Sequence, residues 1–166
     1  MMVRVICNAS PIIGLMGIGK LELLWELFDD VLISEAVYQE ISAGNRINES
    51  ALINGAIANG HIRVVKVNGQ AIIDLLYGKL HHGELETIIG AKEDPDIGFA
   101  IIDERAARSF AATMHVNTLG ILGILSYAKS KGLVEAVRPW LDKLIMNGYR
   151  ISEALYSQVL KKEGEM

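Results

Sequence analysis

Cysteine is almost missing from this 166-residue chain, with Cys7 the only one. A lone thiol excludes an internal disulfide and fits a reducing, cytoplasmic setting. Proline is also scarce, at three residues, which suits a helix-rich chain. There is no excess of positive charge. The formal net charge is −4, which argues against a protein that coats nucleic acid indiscriminately. No clean apolar run is long enough to span or to target. Residues 5–19 carry no charge, but Asn8, Ser10 and Pro11 interrupt them and no small-residue cleavage site follows. Residues 109–128 also lack Asp, Glu, Lys and Arg, yet His115, Asn117 and Thr118 fall near their middle. Internal repeats, low-complexity runs and linkers are lacking too, so residues 1–166 read as one domain outside the membrane.

What is present is a globular composition, 51% hydrophobic and 22% charged, ample for a sizeable core. Charge is uneven along it. Residues 1–104 hold 15 acids and 7 bases, a balance of −8, and residues 105–166 hold 5 acids and 9 bases, a balance of +4. An acidic first part and a basic last part suit a metal site beside a phosphate-binding rim; they equally suit two solvated surfaces. Short β-branched runs at 3–7, 31–33, 62–67 and 98–102 predict strands, with a last short strand near Val116. Helices are expected from Ser10 onward with a break near Gly17 and Gly19, after Ser34 as N-cap, and over 48–59 and 70–79. Others are expected after His82-Gly83, over 103–114, over 118–131 closed by Gly132, and at about 135–147 and 152–162. Alternating short strands and helices predict an α/β fold, a mainly parallel sheet of four or five strands covered on both faces. The working site of such a sheet lies beyond the carboxyl ends of its strands.

Asn8 follows the first strand and Asp103 the strand at 98–102. Glu40 lies on the helix after the second strand, and Glu84 opens the helix leading to 98–102. Each has a local alternative: Asn8 as a turn or cap, Glu40 as a solvated helix residue, Glu84 and Asp103 as partners of a helix dipole. Together they suggest a hard-oxygen site for Mg²⁺ or Mn²⁺. Without a cation, each pair of carboxylates 4 Å apart costs about 4 kcal/mol at an effective dielectric near 20. Arg105 and Arg108, three residues apart on one helix, suit either contact with a phosphate backbone or a solvated face. Lys129, Lys131, Arg138, Lys143 and Arg150 are further basic candidates. Residues 14–20 (GLMGIGK) match the first part of a P-loop, but Leu21 stands where a Ser or Thr should hold Mg²⁺, so a helix kink explains them better. The adjacent His81 and His82 lack zinc spacing. Trp25 and Trp140 read as core.

The landmarks CNASPIIGLMGIGKLELL, ISEAVYQEI, HHGELETIIGA and IIDERAAR, followed by the tail from VNTLGILGILSYAK to SEALYSQVL, resemble in order and spacing the PIN-domain superfamily of metal-dependent nucleases. The similarity is closest to a branch of predicted nucleic-acid-binding, PIN-like proteins of toxin-like type. The resemblance implies a three-layer fold with acidic residues meeting at one sheet edge. It implies that Asn8, Glu40, Glu84 and Asp103 occupy the four catalytic and metal-ligating positions, with Glu86 or Glu104 able to join a neighbour. It places Ser10 where the family has a small hydroxyl, and Thr118 near the same edge, both with Arg105 and Arg108 as nucleic-acid contacts. Implied with these are a divalent Mg or Mn ion, cleavage of RNA as an endoribonuclease, and a small antitoxin-like partner or a homodimer. The apolar stretch 12–25 and the tail 149–160 are the candidate surfaces for such contacts. Asn8 departs from the family pattern, since typical active PIN nucleases carry a carboxylate there. The alternatives are therefore a weakened nucleic-acid- or protein-binding module, or an interaction protein with no nucleic-acid role.

Overall fold

Alternation of side chains across a pleated strand decides the layering. The computed structural model describes residues 2–44 and 47–166, with Ile47 described by its backbone alone. In chain order the elements are β1 (Arg4–Cys7), α1 (Ala9–Gly17), α2 (Leu23–Leu27), β2 (Asp30–Ser34), α3 (Glu35–Ala43), α4 (Ile47–Ala58), β3 (Arg63–Val65) and α5 (Gln70–Leu76). There follow α6 (His82–Glu93), β4 (Ile97–Ile101), α7 (Arg105–Thr113), β5 (Thr118–Leu119), α8 (Ile121–Ser130), α9 (Arg138–Met146) and α10 (Glu153–Lys162). Val5 and Cys7 of β1 and Val31 and Ile33 of β2 join one core, with residues of α1, α2, α3, α8 and α9. Ile6 and Leu32, one residue out of phase, join a second core with Ile88 of α6 and Ala107 and Ala111 of α7. This period of two places helices on both faces.

The sheet has five strands in the order β3-β2-β1-β4-β5, and every pairing is parallel. The chain builds outward from β1 through β2 to β3, then crosses back to place β4 on the other side of β1. The carboxyl ends of β1 and β4 therefore flank a topological switch point, where an open α/β sheet leaves a crevice.

Local signals explain most element boundaries. Ser34 caps α3 as expected, its Oγ accepting the Val37 N–H at 3.2 Å, and Ser152 caps α10 through the Leu155 N–H at 3.1 Å. Each such cap is worth about 1 kcal/mol. The kink anticipated near Gly17 and Gly19 separates α1 from α2, and Gly19 adopts φ 70°, so the P-loop-like residues form a helix and its turn. The last strand lies two residues beyond Val116. Val116 is unavailable because its N–H closes α7 on the Ala111 carbonyl at 2.9 Å, after His115 turns the chain at φ 59°. Thr118 and Leu119 pair instead with Ala100 and Ile101, which delays the next helix to Ile121. The strand expected over 62–67 is confined to Arg63–Val65.

The proposed partner surface at 12–25 is corrected by burial. Ile12, Leu15, Ile18, Leu21, Leu23 and Leu24 all lie in the core, so that stretch holds the fold together. Trp25 and Trp140 pack at the rim of the core, half-buried. Among the described residues, no helix is long and apolar enough to cross a membrane.

Candidate active site at the switch point

Asn8 stands at the N-cap of α1, yet its side chain makes no capping hydrogen bond. Its main chain instead continues the sheet, the N–H donating to the Ile101 carbonyl at 2.9 Å. The amide is 4% exposed. A buried Asn that declines to cap its own helix has its oxygen directed elsewhere. The neighbours of Gly83 show where. A Cβ placed on Gly83 would lie 3.5 Å from both Asn8 Oδ1 and Glu40 Oε2. Glycine at this point of α6 leaves the space between those two oxygens open.

Glu84, one residue on, is 6% exposed. Its Oε1 accepts the His81 N–H at 3.0 Å, so it closes the first turn of α6. Glu40 reaches the same region from α3. Its carboxyl is pushed above the usual carboxylate range by burial and by the charge of Glu84, against an opposing pull from His81. Asn8, Glu40 and Glu84 thus meet from three different helix starts or faces.

Asp103 follows β4. Its Oδ1 accepts the Ile121 N–H at 2.8 Å, capping α8 from outside. Its Oδ2 is buried with no hydrogen bond of good geometry, although the Tyr149 phenol lies close enough to act on the carboxyl as a donor. Burial raises the Asp103 carboxyl above its ordinary range, offset by the Ile121 N–H, the nearby Tyr149 phenol and the Arg108 charge. Burial and the Asp103 charge in turn push the Tyr149 phenol up. Gly120 makes room for this arrangement. A Cβ there would lie 2.7 Å from Arg108 Nη1, so the arginine would have to swing aside, and 3.0 Å from Asp103 Oδ1, which would have to give by a few tenths of an ångström.

Two clefts meet at Asp103. The larger, about 840 Å³, is lined by Ser10, Glu104 and Arg105. The other, about 520 Å³, is lined by Arg108 and Lys162. Asp103, Tyr149 and Arg150 line both. Arg105 and Arg108 are exposed, but they face different clefts. Lys129 pairs with Glu165 at 2.9 Å, while Lys131 covers Tyr127 and Lys143 covers Trp140, so these lysines are engaged locally. Thr118 lies within β5 opposite Ala100 and lines neither cleft. Glu86 is committed to α3, its Oε1 accepting the Ala36 N–H at 3.1 Å.

The four anticipated ligands do not form one cage. Among the described residues, no three His, Cys, Asp or Glu side chains are gathered as a metal-holding group. The expectation of three converging carboxylates is corrected: Asn8, Glu40 and Glu84 share one region, and Asp103 stands at the next strand end with one oxygen used by α8. The donor chemistry nonetheless suits a hard cation. The Asn8 amide oxygen, which caps no helix, and the buried Asp103 Oδ2 stand at neighbouring strand ends and are donors of the kind Mg²⁺ or Mn²⁺ takes.

Sequence reasoning missed Tyr149 as a neighbour of Asp103. The delivery of Tyr149 is local in origin: beyond the end of α9 at Met146, Gly148 turns the chain with φ 95°, and the Tyr149 N–H returns to the Leu144 carbonyl at 2.9 Å. Asn147 ties this turn to α1 by donating to the Gly17 carbonyl at 3.0 Å. A glycine after an apolar helix signals such a turn, but not what the next side chain will touch.

A parallel sheet with Asn8 and Asp103 at the ends of β1 and β4, and two clefts meeting at Asp103, defines an α/β protein with its polar site at the switch point. The PIN-domain family profile matches residues 4–165, and the chain belongs to the PIN-domain family. No curated protein matches the chain.

Proposed function

We propose that this protein is a divalent-metal-dependent endoribonuclease of toxin-like type, acting in the cytoplasm on RNA phosphodiesters. The observation that carries the reading is the buried Asp103 Oδ2, which lacks a well-formed hydrogen bond, at the strand end adjoining the Asn8 amide that caps no helix. Buried polar atoms without partners are rare and call for a ligand or a chemical role. Asn8, Glu40, Glu84 and Asp103 would hold Mg²⁺ or Mn²⁺. Bound there, the ion would supply Lewis acidity and an activated water for phosphodiester hydrolysis. Arg105 and Arg150 hold backbone phosphates in the larger cleft and Arg108 in the smaller, so the strand lies across Asp103. Ser10, exposed on α1, donates to the same backbone. The Tyr149 phenol, beside the Asp103 carboxyl, steadies it as a donor.

A second reading, a weakened nucleic-acid- or protein-binding module, is favoured by the neutral Asn8 and by the lack of three gathered carboxylates among the described residues. A small antitoxin-like partner or a second copy fits either reading, and the tail 149–160, where Leu155 is exposed, is the surface left for it. Calorimetric titration with Mn²⁺, together with cleavage of a mixed RNA pool, tests the choice. Mn²⁺ binding lost in Asp103→Asn and metal-dependent cleavage support the nuclease. RNA binding without cleavage, in wild type and in Asn8→Asp alike, supports the module.

A further inference from the structure

A third cavity, on the α6–α7 side of the sheet, borders the proposed metal-holding set at Glu84. It measures about 300 Å³, and Tyr77, Lys79, His81, Glu84 and Glu104 line it. Glu104 also lines the large cleft, so the two spaces adjoin at the residue after Asp103. A strand held in the large cleft with a phosphate at Asp103 has this cavity beside its next residue.

The walls are unlike an ordinary surface dent. Glu84, 6% exposed and held through Oε1 by the His81 N–H, closes the inner end of the cavity, and the exposed Glu104 carboxylate stands at its mouth. Tyr77 is 57% exposed, yet its ring is held by stacking on His82, with centroids 4.1 Å apart and planes 23° apart. His82 does not line the cavity, so the stack steadies Tyr77 without filling the space. A ring already held in place gives a flat apolar platform with little further ordering cost.

We propose that this cavity is a nucleobase subsite selective for guanine, taking the nucleotide next to the phosphate held at Asp103. The inference rests on the nucleic-acid reading above and adds a sequence preference to it. The two oxygens of the Glu104 carboxylate match the adjacent N1–H and N2 amino donors on the Watson–Crick edge of guanine. The Lys79 ammonium matches O6 or N7 of the same base, and Tyr77 offers a stacking face. Adenine would turn its N1 acceptor toward that carboxylate. Cytosine would turn its N3 acceptor toward it, and uracil offers a single donor between two acceptors. Each therefore meets at least one repulsive lone pair where guanine meets a hydrogen bond.

The test uses the full-length protein and fluorescein-labelled pentanucleotides UUGUU, UUIUU, UUAUU and UUCUU, with UUUUU as reference. Anisotropy is measured in EDTA, and cleavage is mapped in Mn²⁺ on a mixed RNA. UUGUU should bind roughly ten-fold more tightly than UUIUU, which lacks only the N2 amino group. Lys79→Met and Tyr77→Ala should each weaken binding of UUGUU more than of UUUUU. Equal affinity for all five oligomers, with Mn²⁺-dependent cleavage retained and spread evenly over sequence, overturns the subsite and leaves the nuclease standing. Guanine preference without any cleavage keeps the subsite and overturns the nuclease. Failure to bind any oligomer in EDTA, together with no cleavage in Mn²⁺, overturns both, and failure to bind with evenly spread cleavage overturns the subsite alone.

Discussion

At the amino ends of the strands the carboxylates are paired, and at the carboxyl ends they are not. Asp30 receives Arg4 at 2.7 Å and Arg63 at 2.8 Å, and Arg4 also reaches Asp94 at 2.9 Å. Arg63 and Arg4 together hold the Asp30 carboxyl below its ordinary range. At the opposite edge of the same sheet, burial drives Glu40 and Asp103 the other way. Arg108 influences Asp103 without forming an ion pair with it. The contrast separates two uses of one residue type. A carboxylate that joins strands is supplied with cations from the fold itself. On the proposed function, a carboxylate kept for a ligand would be left short of cationic partners, at a cost in stability that a bound cation would offset.

The largest effect expected from breaking this contrast is on activity. Asp103→Asn should lower Mn²⁺-dependent RNA cleavage by roughly 100-fold, the scale of losing one transition-state contact. In EDTA the same variant should melt higher than wild type, because it removes a buried charge that lacks an ion-pair partner. A lower melting temperature in EDTA would mean that Asp103 serves the fold as Asp30 does.

Next in size is Asn8→Asp, which sharpens the contrast by adding a charge to the unpaired end. Repulsion from Glu40 should destabilise the metal-free protein by roughly 2 kcal/mol before solvent screening, at an effective dielectric near 20. With Mn²⁺ the variant should gain more in melting temperature than wild type does, since a hard cation prefers an anionic oxygen and binding to the native state stabilises it. An equal shift in both proteins would remove Asn8 from the metal site.

Asp30→Asn should cost less, about 1 kcal/mol, because the pairs with Arg4 and Arg63 are partly solvated. Urea titration measures it, and no change in Mn²⁺ affinity is expected. The smallest effects are in pH dependence, and they have opposite signs at the two ends. Asp30 has a lowered carboxyl, so its contribution is present above the unfolded value of about 3.9 and is lost as pH falls through the depressed folded value. Asp103 has a raised carboxyl, so its contribution is present below about 3.9 and is lost as pH rises through the elevated folded value. Stability curves in EDTA from pH 2 to 7 should therefore be flatter at the acid end in Asp30→Asn. In Asp103→Asn the gain over wild type should grow as pH rises above about 4.

The strands, the helix caps and the parallel arrangement were legible from residues alone, because each depends on near neighbours. Val5, Ile6 and Cys7 alternate whatever surrounds them, and Ser34 caps a helix through an N–H three residues away. Family pattern and strand-end position were enough to select Asn8, Glu40, Glu84 and Asp103. The strand assigned to Val116 failed for a reason equally physical: one left-handed residue, His115, let helix closure take the N–H that a strand would have used.

Sequence alone thus determined which residues stand at the carboxyl ends of the strands, since that follows from hydrophobic period and chain order. Only the tertiary structure decided which of those residues have partners. Arg4 and Arg63 are separated by 59 positions, yet both reach Asp30 because β1 and β3 flank β2. Tyr149 reaches Asp103 because α9 packs back on α1 and ends in a glycine turn beside it. Gly83 and Gly120 hold open the spaces at Asn8 and Asp103 from elements remote in the chain. Pairing, burial and empty space are properties of distance in three dimensions, and a carboxylate acquires its chemical character from them.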